Sequence, residues 1–77
     1  MTETQVLEAL HAAVLDECGQ DCAITRDMSA LDVPGWDSLA HVRIMMNLEA
    51  RLGREIDIDK TYRAGNIGEL VDLVAGA

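Results

Sequence analysis

Pro34 and Gly35 punctuate this chain, and from Trp36 onward no proline or glycine follows until Gly53. That contrast places a helix beginning near Asp37 or Ser38 and ending near Leu52, since breakers flank an uninterrupted stretch. Asp37 can accept from first-turn N–H groups that lack intrahelical partners, which makes it the N-cap and leaves the Ser38 hydroxyl free for modification. An anion attached there would be favoured by the helix dipole, by about 0.3–1 kcal/mol. Taken alone, a serine at this position also reads as a second capping group.

At about 100° per residue, the apolar residues of this helix fall into two stripes. Ile44, Leu48 and Leu52 lie one above another, with Met45 beside them and His41 in the same row, and this stripe is predicted to face the core. Leu39 and Met46 lie roughly opposite, with Val42 near the edge. A chain of 77 residues cannot fully bury both sides, so the second stripe reads as a docking surface beside Ser38, where scattered surface apolars are the plain alternative.

Three further helices complete an all-α reading. Thr2-Glu3-Thr4-Gln5 forms a T-x-x-Q capping box, and Val6, Leu7, Leu10, Val14 and Leu15 follow at helical spacing before Gly19 ends the segment. A loop from about Gly19 to Trp36 is too long for a mere connector, and Ile24, Met28, Leu31 and Val33 are expected to reach back to the core. A short helix is expected from about Asp59 to Arg63 with Tyr62 turned inward. Asn66-Ile67-Gly68-Glu69 then caps a last helix whose Ile67, Leu70, Val71 and Val74 pack on the bundle until Gly76.

Composition narrows the function classes. Phenylalanine is absent and Trp36 and Tyr62 are the only aromatics, so the core must be aliphatic. The net charge of −8, from 14 acids against 6 bases, argues against nucleic acid as a partner and favours basic proteins. No apolar run approaches the roughly 18 residues that cross a bilayer, and no signal-peptide pattern is visible, so no membrane role and a cytoplasmic location are expected. Cys18 and Cys22, with His11 nearby, lack the second ligand pair of a structural zinc site, so no metal is expected and the thiols read as mostly buried at a helix end. Glu55, Asp57 and Asp59 lack the glycine and terminal glutamate of a calcium loop and read as a solvated acidic face.

Asp37-Ser38-Leu39, set after a long loop at the opening of the second helix of a small acidic chain, resembles the attachment motif of the acyl carrier protein family. The resemblance extends over nearly the whole chain in length, helix order and loop placement. It implies a four-helix bundle of three main helices and one short one, with residues 1–77 forming a single carrier domain. It implies a 4′-phosphopantetheine arm on Ser38, transferred from coenzyme A by a Mg²⁺-dependent phosphopantetheinyl transferase, with Trp36, Asp37 and Leu39 as flanking recognition residues. The thiol of such an arm holds acyl or aminoacyl groups as thioesters. The implied partners are a loading enzyme and downstream synthase, condensation or tailoring enzymes, served by a non-catalytic monomer.

Carriers of fatty acid synthesis line the second helix with acids, whereas here the corresponding surface offers Ala40, Arg43, Ala50 and Arg51, with Glu49 the lone acid. Reversed charge selects different enzymes, and Leu39, Val42, Arg43 and Met46 are the expected docking residues. Trp36 before the Asp-Ser pair also resembles free-standing carriers of specialised pathways. Polyketide, nonribosomal peptide or related biosynthesis is therefore expected, against a primary-metabolism carrier (fatty acid synthesis or D-alanyl transfer) or a helical interaction domain without an arm. His41 lies one turn after Ser38, but no acid is placed to orient it and no oxyanion site is apparent. A Ser-His hydrolase is disfavoured, and His41 is expected to line the groove edge or shield the arm.

Overall fold

A computed structural model describes residues 2–19 and 21–76. Its helices are α1 (Glu3–Cys18), α2 (Ser38–Leu52), α3 (Ile58–Thr61) and α4 (Ile67–Ala75), with a 3₁₀ turn at Ala30–Asp32. α1 opens on the capping box: Gln5 N–H donates to Thr2 Oγ1 at 3.1 Å and Thr2 N–H donates to Gln5 Oε1 at 2.9 Å. It stops at Gly19, whose φ of 72° and N–H bond to the Leu15 carbonyl form a left-handed cap.

Packing joins α1 to both α2 and α4. Val6, Leu10, Ala13 and Val14 of α1 meet Ile44, Met45 and Leu48 of α2 and Ile67, Leu70, Val71 and Val74 of α4. Leu15 is exposed, contrary to the expectation from spacing, because nine residues at 100° place it opposite Val6 on the helix.

The long loop is tied to α4 through its backbone. Ile67 N–H donates to the Met28 carbonyl at 2.7 Å and Gly68 N–H to the Arg26 carbonyl at 2.9 Å, so loop carbonyls satisfy the first turn of α4. Arg26 adds two bonds from its guanidinium to the Asp72 carboxylate, at 2.9 and 3.0 Å. Val33 is buried and Ile24 and Met28 pack partly on the core, as expected, but Leu31 is 93% exposed. The 3₁₀ turn is the reason, since its tight winding puts Ala30 against the core and swings Leu31 outward.

α3 begins one residue earlier and ends two earlier than its sequence pattern predicts. Asp57 caps it, accepting from Lys60 N–H, so this acid is structural as well as solvated. The buried residue is Thr61, whereas Tyr62 is exposed, correcting the inward placement of the tyrosine. Asn66 caps α4 as predicted, while the Glu69 carboxylate accepts from Gly65 N–H rather than from the cap residue. Cys18 and Cys22 are free and half-buried rather than mostly buried, and His11 lies 3.0 Å from Asp21.

Candidate functional site

The approach to α2 is held by a close contact with the end of α1. Gly35 has a φ of 86°, and a Cβ there would stand 3.3 Å from Cys18 Cβ, so both conformation and space call for glycine. The turn delivers Trp36 into the core edge, with its N–H bonded to the Val33 carbonyl. Burial pushes the neighbouring Cys18 thiol pKa up, which keeps it protonated and a poor nucleophile.

Asp37 then caps α2, its Oδ1 accepting from Ala40 N–H at 2.8 Å, and its carbonyl accepts from His41 N–H at 2.8 Å. Ser38 is the first helical residue, exposed, and among the described residues no hydrogen bond engages its hydroxyl. The division of labour predicted from the sequence is therefore present: the acid caps and the hydroxyl is free.

His41 is buried and fully engaged. Trp36 Nε1–H donates to His41 Nδ1 at 3.1 Å, which places the imidazole proton on Nε2, and Nε2–H donates to Thr61 Oγ1 at 2.7 Å. The Thr61 hydroxyl in turn donates to the Ile58 carbonyl at 2.5 Å. This directional chain bridges α2 and α3, and burial holds the His41 pKa below its ordinary 6.5, so the ring is neutral at pH 7. With both ring nitrogens committed to Trp36 and Thr61, His41 presents no free lone pair to Ser38.

A cleft of about 370 Å³ opens beside Ser38, lined by Leu31, Trp36, Asp37, His41 and Tyr62. The Tyr62 and His41 ring centres are 4.4 Å apart. His41 thus lines the groove, as expected. The roles of Leu31, Tyr62 and Thr61 were not foreseen; a threonine within an otherwise short polar-apolar turn was the available hint.

On the other side of Ser38, Leu39 and Met46 are 62% and 58% exposed and Val42 is half-buried, forming one stripe with the exposed Arg43. Among the described residues no carboxylate pairs with Arg43. Arg51 differs, because it donates to Asn47 Oδ1 at 2.7 Å and to the Asp16 carboxylate, and its bond to Asp16 holds the Asp16 pKa below its ordinary value. Glu49 accepts from Ile56 N–H at 2.7 Å. Arg51 and Glu49, both read as surface charges, are structural ties, and Arg43 carries the charge of the stripe.

Residues 8–74 match the family described as "Phosphopantetheine attachment site". The chain belongs to the acyl carrier protein family. It is 31% identical over 78 residues to an acyl carrier protein of Tropheryma whipplei strain Twist, covering all of this chain and 95% of the relative. An acyl carrier protein of Exiguobacterium sibiricum is 29% identical over 75 residues, covering 96% and 95%. No solved structure matches the chain.

As an acyl carrier protein the chain bears a covalent 4′-phosphopantetheine group, and it interacts with modifying and synthase enzymes. Such a group supplies a thiol at which acyl groups are held as thioesters. The residues at the head of α2 fit it. The Ser38 hydroxyl is open to solvent, α2 has no acid within its first turn, and the helix N-terminus favours the phosphate. Among the described residues no helix is long and apolar enough to cross a membrane.

Proposed function

We propose that residues 1–77 act as one discrete, non-catalytic carrier domain with its arm on Ser38, serving bacterial polyketide, nonribosomal peptide or related modified-acyl biosynthesis. The observation that carries this reading is the free hydroxyl of Ser38 at the head of a helix in a chain of this family, beside a histidine whose ring nitrogens are both committed to Trp36 and Thr61. Trp36, Asp37 and Leu39 flank the attachment point. Leu39, Val42, Arg43 and Met46 form the docking face. Docking on an apolar stripe that carries Arg43, which pairs with no carboxylate among the described residues, suits enzymes whose carrier-binding surface is apolar with an acidic group, so partner choice departs from carriers with acidic second helices. The carrier works in the cytoplasm as a monomer. Its interfaces are small and transient, because each partner must release it.

Incubation with coenzyme A, Mg²⁺ and a broad-specificity phosphopantetheinyl transferase, read by intact-protein mass, is the test. One phosphopantetheine addition on the parent and none on Ser38→Ala is the expected result. No addition to folded parent protein would remove the attachment assignment. A primary-metabolism role is the second reading, favoured by full-length likeness to relatives called simply acyl carrier protein. Loading assays with fatty acid, D-alanyl and specialised loading enzymes separate the two.

A further inference from the structure

The cleft beside Ser38 and the hydrogen-bonded chain beneath it bear on what the carrier holds. We propose that this cleft seats the tethered cargo and that the Trp36–His41–Thr61 hydrogen bonds form a floor that keeps it out of the bundle, restricting the carrier to short acyl groups. The proposal rests on Ser38 being the attachment point.

Ser38 is itself part of the cleft wall, so a group tethered there stays at high local concentration and a weak seat suffices. The walls supply what a small acyl group needs. Leu31 and Trp36 give apolar surface, and the Tyr62 ring stands against His41. At about 370 Å³ the cleft lies at the small end of ligand pockets, which run from about 300 to 1,000 Å³.

Entry beyond the cleft is blocked. His41 lies on α2 between Ser38 and the fully buried Ile44, Met45 and Leu48, and its ring is bonded across to Thr61 of α3. A chain passing inward must part α2 from α3, which strands the indole N–H of Trp36, the His41 ring and the Thr61 hydroxyl, all buried. Each methylene moved from water to the core returns only about a fourfold gain in equilibrium. Short groups therefore rest outside, in the cleft.

Trp36 is the single tryptophan, so its indole N–H resonance reports on the cleft directly. Ser38 is loaded with bare, acetyl, butyryl or octanoyl pantetheine, and the product mass is checked first. Absence of added mass would remove the attachment reading, separately from the cleft. With loading established, the butyryl group is expected to shift the Trp36 signal beyond the bare arm. It should also slow thioester cleavage by hydroxylamine about threefold relative to free butyryl-pantetheine. Octanoyl is expected to add no slowing and to leave the methyl signals of Ile44, Met45 and Leu48 in place.

His41→Ala should admit octanoyl, with those methyl signals moving and cleavage slowing further. Thr61→Val serves the same purpose if that variant does not fold. Movement of the core methyls by octanoyl in the parent would overturn the proposal. So would a Trp36 shift produced in full by the bare arm, or a folded Thr61→Val protein that excludes octanoyl as the parent does.

Discussion

Asp37 and Ser38 are adjacent and chemically alike in their capacity to cap, yet only Asp37 accepts from the first turn of α2. Asp37→Ala is expected to cost about 1 kcal/mol of stability, the usual loss for an N-cap, while Ser38→Ala stays within about 0.5 kcal/mol of the parent. Thermal denaturation of the two variants checks this, and equal losses would contradict the assignment of the cap. His41 carries a pH signature. Its folded pKa lies below 6.5, so the unfolded chain binds the extra proton first as pH falls. Stability from this group is full above about 6.5 and is lost as pH drops toward the folded value. The groups facing the ring are the Trp36 indole, the Thr61 hydroxyl and the Tyr62 phenol. Urea unfolding at pH 7 and pH 5 should show a loss in the parent that His41→Gln lacks; equal losses would mean another group titrates.

At the scale of elements, α2 was almost wholly legible because its breakers, cap and two stripes are each encoded by adjacent residues. Its bounds, the free Ser38 hydroxyl, and the exposure of Leu39 and Met46 follow from a 100° rotation and one aspartate. What was not legible depends on other elements. Arg51 and Glu49 look like surface charges within α2, but α1 supplies Asp16 for one and the following loop supplies Ile56 N–H for the other. Likewise α3 is a single turn whose start is set by Asp57, and the rotation of Leu31 depends on a 3₁₀ turn that three residues do not announce. The distinction between the two arginines is testable. Arg43→Glu is expected to slow acyl transfer from a cognate enzyme about tenfold with an unchanged melting temperature, since Arg43 touches no carboxylate among the described residues. Arg51→Ala should lower the melting temperature slightly and spare transfer. The reverse pattern would move the docking face toward the end of α2.

The whole molecule must hold a functional surface on a small core. At about 0.05–0.15 kcal/mol per residue, a chain of 77 residues has only several kcal/mol of stability in total. Fifteen buried apolar side chains from three helices and two loops form one cluster among the described residues. Leu48 is fully buried within it, and Leu48→Ala is expected to cost about 2–5 kcal/mol, a large fraction of that total. Arg26 occupies the opposite case, since its guanidinium is half-exposed while its carbonyl caps α4. Removing the side chain by Arg26→Ala leaves both backbone bonds from the loop to α4, so the loop should stay docked and the melting temperature should fall only slightly. Urea unfolding of the two variants with amide exchange of Ile67 and Gly68 separates these contributions. Protection of both amides in Arg26→Ala would mean the backbone holds the loop; its loss would mean the ion pair does. The same backbone tie positions the 3₁₀ turn, and with it the Leu31 wall of the cleft, so a loosened loop would also change the Trp36 indole signal.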